Sequence, residues 1–195
     1  MQSKFSCPRG TTDITPFDIS RWDNVERISK QILTCYNYKE IRTPLFEETE
    51  LFARSMGQSS DVVCKQMLNL AAQQKDDQDG VTLSGLSLRP ENTASVVRSY
   101  IQNGFDRKEP ISKLFYIGPM FRGERPQKGR LRQFNQIGVE VLGPNTAQPY
   151  LDAEIISLSV HLLKSLGLEK FLLKINRLGT REDKENFYQM LRQAL

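Results

Sequence analysis

Histidine is almost missing from this chain: His161 is the sole imidazole among 195 residues. With no CxxC pair beside it, a Cys/His zinc site is excluded, and a Ser-His-Asp triad survives only if His161 serves it. Cysteine is scarce too. Cys7, Cys35 and Cys64 are odd in number and far apart. That excludes a disulfide scaffold and fits a reducing, cytoplasmic setting. No apolar run approaches the ~20 residues of a spanning helix, so no membrane partner is expected. The opening Met1–Gly10 lacks the apolar stretch of a secretory signal. Acidic residues fall short of basic ones, 23 against 27, for a net charge of +4 and a pI near 9.0. The excess leans gently towards a polyanionic partner. What is present is enough for a core: 38% of residues are hydrophobic, too many for a disordered chain. The length favours one domain, or one and a fraction.

No internal repeat is visible. The spacing predicts a helix from about Pro16 to Tyr36, with Thr15 as cap and Trp22, Val25, Ile28, Ile32 and Tyr36 as one apolar stripe. Trp22 is expected in the core. A short strand, Lys39 to Thr43, should stop at Pro44. Cys64 follows two valines and is expected to be buried. Gln73 to Gly80 reads as a polar loop. Asp77-Gln-Asp79-Gly80 is faintly similar to a calcium loop but lacks the closing glutamate. A helix is predicted from Asn92 or Thr93 to Gly104, and another from about Leu151 to Leu166, ended by Gly167. His161 lies beside the apolar face of that second helix, where a half-exposed ring is expected rather than a catalyst. Phe171 to Ile175 is a strand candidate, and Thr180 to Leu195 reads as helix. That last pattern is still running when the chain stops, so we expect a portion of a longer domain.

The stretch from Ile111 to Gly143 carries chemistry. It reads as two strands joined by a loop. Along the second strand, side chains alternate between faces. One face holds Asn135, Ile137, Val139 and Val141 and belongs against helices. The other holds Phe134, Gln136, Gly138, Glu140 and Leu142. An aromatic ring, an amide, a gap and a carboxylate on one face read as a ligand floor, with Gly138 admitting a close approach. Between the strands, Arg122, Arg125, Lys128, Arg130 and Arg132 face a single acid, Glu124. Such a loop repels itself unless an anion arrives, and the planar fork of arginine suits phosphate oxygens. A plain solvated hairpin tip is the alternative; the adjoining polar floor weighs against it. A second constellation is Ser87-Leu-Arg-Pro-Glu-Asn-Thr-Ala94. There Asn92 or Thr93 could simply cap a helix, with Glu91 favouring its dipole. Beside the hairpin, Glu91 becomes a candidate to hold an ammonium group.

These residues resemble a known family. Phe121-Arg-Gly-Glu-Arg-Pro-Gln-Lys-Gly-Arg-Leu-Arg-Gln-Phe-Asn-Gln-Ile-Gly-Val-Glu140 is similar to motif 2 of class II aminoacyl-tRNA synthetases, in the histidyl version. Tyr38-Lys-Glu-Ile-Arg-Thr-Pro44 with Glu47 resembles motif 1, whose proline lies at a dimer interface. Leu88-Arg-Pro-Glu91, followed by Thr93-Ala94, resembles the family's histidine-binding turn. Pro8-Arg-Gly-Thr-Thr-Asp13 and Asn176-Arg-Leu-Gly179 also fit, so the resemblance covers nearly the whole chain. It departs where Asn92 replaces a usual glycine and Asn135 a usual histidine.

The resemblance implies an α+β fold, a mostly antiparallel sheet flanked by helices, which we expect on one side. It implies that residues 1–195 are the N-terminal portion of the catalytic domain, with motif 1 at about 22–47 and motif 2 at about 113–142. Motif 3 and the anticodon-binding domain are not encoded, so the sheet should be incomplete and the chain alone nearly inactive. The implied activity is histidine–tRNA ligation through a histidyl-adenylate. Arg122 would be the catalytic arginine, clamping the ATP α-phosphate and the histidine carboxylate. Glu124, Arg130 and Phe134 would join it in binding ATP, Phe134 by stacking on adenine. Glu91, Asn92, Thr93, Gln136 and Glu140 would surround histidine. Arg125 and Gln127 would touch the acceptor end of tRNA(His). Arg42 and Pro44 would lie in a homodimer interface. Magnesium would arrive with ATP and take no identified protein ligand. The alternative is a non-catalytic regulatory subunit of histidine biosynthesis, which shares the fold; the retained Arg125-Pro-Gln-Lys-Gly-Arg130 favours the enzyme. A generic RNA-binding domain is the blandest reading.

Overall fold

The computed structural model describes residues 5–57, 60–72, 82–176, 179 and 181–194. The polar loop at 73–80, the Thr180 cap and half of the 176–179 match lie outside them. In chain order the elements are α1 (Ile19–Cys35), β1 (Lys39–Glu40), β2 (Phe46–Glu48), α2 (Thr49–Met56), a π-helical turn (Val62–Gln66), β3 (Leu68–Ala72), β4 (Thr82–Leu88), α3 (Thr93–Gln102), a 3-10 turn (Phe105–Arg107), β5 (Ser112–Phe121), β6 (Gln133–Leu142), α4 (Pro149–Ser165) and α5 (Arg181–Ala194).

The strands form two sheets, ordered β1-β5-β6 and β2-β4-β3. Only the β1–β5 pair is parallel. β5 and β6 run antiparallel over their full length, from Ser112 opposite Leu142 to Phe121 opposite Gln133. Period-two alternation along this ribbon assigns its two faces. Phe115, Ile117, Ile137, Val139 and Val141 pack with Leu33 of α1 and Leu158 of α4. Leu114, Tyr116, Met120, Phe134 and Leu142 pack with Val96 of α3. The ribbon is therefore covered on both faces, and the expectation of helices on one side is corrected. Charge is satisfied at one margin: Lys113 donates to Glu154, 2.8 Å away, and the Tyr38 hydroxyl reaches the same carboxylate at 3.2 Å.

Several local expectations change. The first helix begins at Ile19, because Thr15–Asp18 closes as a turn, with Thr15 Oγ1 donating to Asp18 Oδ2 at 2.9 Å. Only the second half of its stripe is buried, at Ile32 and Leu33; Trp22 and Val25 are exposed. The strand foreseen over Lys39–Thr43 ends at Glu40, and Arg42 beyond it pairs with that glutamate at 2.8 Å. Phe171–Ile175 forms no strand among the described residues, and its apolar side chains are exposed. Cys64 is exposed in the π-helical turn rather than buried. His161 is exposed, its Nδ1 3.4 Å from the Tyr36 hydroxyl.

Candidate active site

Phe134, Gln136 and Glu140 lie on one face of β6, as alternation requires. Arg122 follows the end of β5 and comes back over that face. Its guanidinium carbon is 5.0 Å from the centre of the Phe134 ring, a cation–π distance. Its Nε donates to the Pro90 carbonyl at 3.0 Å. One arginine thus spans the aromatic end of the floor and the turn before α3.

The loop between the strands is tightly built. Gln127 and Arg130 exchange backbone hydrogen bonds of 3.1 and 2.9 Å across Lys128-Gly129. The N-terminal segment straps its base: the Gly10 carbonyl accepts from the N–H groups of Arg132 (2.7 Å) and Gln133 (3.2 Å). Gly10 has φ +88°, and a side chain there would meet Arg132 at 2.8 Å and Pro126 at 2.9 Å. From the other side, Gly123 N–H donates to the Gln66 carbonyl at 2.7 Å.

Two clefts open on this scaffold. The larger, about 590 Å³, is lined by Arg122, Glu124, Arg130 and Phe134 together with Val62 and Gln66. It brings together the four residues expected to bind ATP. Its neighbour, about 440 Å³, shares Gln66, Glu124 and Arg130 and adds Lys65, Arg125 and Gln127, the two last being the residues expected at the tRNA end. Glu124 and Arg130 approach within 3.8 Å. The guanidinium groups in these clefts outnumber carboxylates, which suits a phosphate chain.

Beyond Arg122 the floor becomes acidic. Glu91 caps α3, accepting from the N–H groups of Thr93 (2.7 Å) and Ala94 (3.2 Å). The Thr93 hydroxyl donates to Glu140 at 2.7 Å. Burial pushes the Glu140 carboxyl above its usual range; the Thr93 hydrogen bond opposes this and the nearby Glu91 charge adds to it. Gln136 Oε1 is buried without a protein partner among the described residues. A buried acceptor of this kind takes its hydrogen bond from water or a ligand. Gly138, expected to admit the ligand, instead makes room for Tyr116, its partner across the ribbon, whose ring covers it. That phenol is pushed up to about 12, by burial first and by Glu140 next.

One residue expected around histidine falls elsewhere. Asn92 neither caps α3 nor faces the floor. It is fully buried, and its Oδ1 accepts from Thr43 Oγ1 (2.7 Å) and from Arg89 (3.2 Å). Its φ of −119° needs no glycine. Arg42 and Pro44 lie at an exposed corner between β1 and β2, away from the floor. Sequence reasoning passed over Gln66, Tyr116 and Arg89. The only signal for Arg89 was its place between Leu88 and Pro90.

The family model described as Histidyl-tRNA synthetase matches residues 10–181. A histidine–tRNA ligase of Solibacter usitatus is 47% identical over 187 residues, covering 96% of this chain and 43% of that protein. One from Geobacillus sp. (strain WCH70) is 48% identical, covering 96% and 42%. Among solved structures, apo S. aureus histidyl-tRNA synthetase superposes with a TM-score of 0.62 at 40% identity, over 85% of this chain and 35% of that one. A Bacillus halodurans structure titled ATP phosphoribosyltransferase regulatory subunit/histidyl-tRNA synthetase gives 0.66 at 29% identity, over 87% and 40%. The chain spans about two fifths of the length of the curated relatives it matches. With a family match over most of its length and near-half identity to several ligases, the chain belongs to the histidyl-tRNA synthetase family.

Proposed function

We propose that this chain forms the N-terminal portion of the catalytic domain of a histidine–tRNA ligase, contributing the ATP cleft and half of the amino-acid site. The observation that carries the reading is Arg122, which joins the phosphate-suited cleft to the carbonyl of Pro90, directly before Glu91. Histidine would enter with its ammonium group towards Glu91, Thr93 and Gln136, and its imidazole towards Glu140. Its carboxylate would then lie by Arg122. Attack of that carboxylate on the α-phosphorus forms the mixed anhydride and expels pyrophosphate. The step needs alignment and charge neutralisation, not a protein nucleophile. Arg122 supplies both, because its plane is held between Phe134 and the Pro90 carbonyl before substrate binds. Arg130 and Glu124 would receive the rest of the triphosphate, and magnesium carried by ATP would spread the remaining charge. Arg125 and Gln127, on the neighbouring cleft, would meet the acceptor end of tRNA(His). The exposed corner with Arg42, Pro44 and Leu45 would pair with a second copy.

The test is ATP–pyrophosphate exchange by the longest product of the gene that carries this chain, expected to occur in the cytoplasm of its host. Exchange that requires histidine, and no other amino acid, is the expected result. No exchange with histidine overturns the reading. Histidine binding without exchange, together with co-purification of a phosphoribosyltransferase, would favour the regulatory alternative, which the Bacillus halodurans title names as well.

A further inference from the structure

Arg89 is one of the most heavily bonded side chains in the molecule, and no step above uses it. It is 5% exposed. Nε donates to the Pro119 carbonyl at 3.0 Å; Nη1 donates to Thr43 Oγ1 (3.0 Å), the Thr43 carbonyl (3.1 Å), Asn92 Oδ1 (3.2 Å) and the Pro44 carbonyl (3.4 Å). The backbone of the same residue joins the two sheets. Its N–H donates to Leu45 and its carbonyl accepts from Phe121, each at 2.9 Å. Nη2 lies where a side chain on Gly118 would be, 2.9 Å from that Cβ position.

This cation is paired with no carboxylate among the described residues; each hydrogen bond named above goes to a neutral oxygen. Burying an unpaired charge is costly, and a well-packed apolar side chain would do the packing as well. What an apolar group cannot do is hold three separate backbone carbonyls and one amide in register. Those acceptors fall into two groups. Thr43 and Pro44 form the exposed corner after β1. Pro119 belongs to β5, and Asn92 lies between Glu91 and Thr93 in the turn before α3. Pro90, also fully buried, is gripped from the opposite side by Arg122. The turn therefore hangs between two arginines, one that faces substrate and one that faces the corner.

We infer that Arg89 is a positioning residue that ties the Thr43–Pro44 corner to the Glu91–Thr93 turn, so that the fit of the amino-acid site depends on where that corner sits. The inference rests on the proposed histidine activation. Burial also depresses the Arg89 guanidinium from its ordinary range, consistent with a desolvated charge kept for its geometry. The consequence is a link between a surface suited to a second copy and a site on the other side of the turn. Thr43, which touches no proposed substrate, should matter for histidine.

The experiment uses the longest gene product and ATP–pyrophosphate exchange, with Arg89→Lys and Thr43→Val compared to wild type. Lysine keeps the charge but has no fork to reach Pro119 and Thr43 together. Both variants are expected to raise the KM for histidine, Arg89→Lys by about tenfold, while the KM for ATP stays within about twofold. The double variant should be less than additive, since the two act through one bond network. If both variants fold, by circular dichroism, and leave histidine KM within about twofold of wild type, the inference falls. It also falls if histidine and ATP KM rise together, which marks general loosening. Should Arg89→Lys fail to fold, Thr43→Val decides alone. A wild-type protein that shows no exchange at all would instead sink the proposed function.

Discussion

Replacing Gly138 by alanine tests the packing beneath the acidic floor. The new methyl would lie 2.7 Å from Tyr116 Cε2, with Cζ and the hydroxyl nearer still, where ordinary contacts begin at about 3.4 Å. The ring must therefore retreat by more than an ångström. It has little room, being 7% exposed and packed against Val96, Leu114 and Met120. Forcing a methyl into such a core costs about 1–3 kcal/mol. The phenol interacts with Thr93 and Glu140, so its displacement disturbs both. Gly138→Ala should lose that much stability in a urea titration, and its histidine KM should rise while ATP binding is spared. Combining it with Tyr116→Leu, which empties the contested space, should recover part of the stability but not the histidine affinity. A loss below about 0.5 kcal/mol, or an unchanged histidine KM, would refute the claim that this glycine exists to seat Tyr116.

Three further outcomes follow from the same geometry. Because burial holds the Glu140 carboxyl above its unfolded range, the folded state binds the extra proton and stability falls as pH rises from the unfolded carboxyl pKa through the raised one. Glu140→Gln should therefore melt higher than wild type at neutral pH, converge with it in acid, and lose histidine binding. Glu154→Ala strands the half-buried Lys113 ammonium and the buried Tyr38 hydroxyl, and should cost about 1–3 kcal/mol by denaturant titration with little change in substrate KM. Gly10→Ala would clash with Pro126 and Arg132 at a backbone angle that alanine resists. It should weaken ATP binding more than histidine binding in the exchange assay, because the strap it holds supports the arginine-rich loop.

The β6 floor was legible because strand geometry leaves only two choices per residue, and Ile137, Val139 and Val141 settled which face was apolar. Arg122 was legible by its setting at the end of a strand before a basic loop. Other parts depended on distant partners. Phe171–Ile175 has strand composition, but composition alone makes no strand: the segment pairs with none of the described sheet edges and stays exposed. Trp22 follows the helical stripe, yet it lines an open cleft with Leu131, Gln133 and Phe134 and stays exposed. The β2-β4-β3 sheet joins short segments whose pairing no local pattern announces. Asn92 and Thr93 both suit a helix cap, but the longer Glu91 side chain reaches the free N–H groups first. Arg89 was invisible for a similar reason: its acceptors lie up to 46 residues away in sequence.

The margin of β5 that faces β1 has one further property. Past Phe115, whose carbonyl accepts from Ile41, the outward-facing positions continue to Pro119 and Phe121. Pro119 offers no amide hydrogen, its oxygen is taken by Arg89, and the Phe121 amide is taken by the Arg89 carbonyl. A foreign strand laid along that margin would find the Pro119 carbonyl and the Phe121 amide already taken. That stretch of the hairpin's flank is thereby guarded against fibre-like self-association.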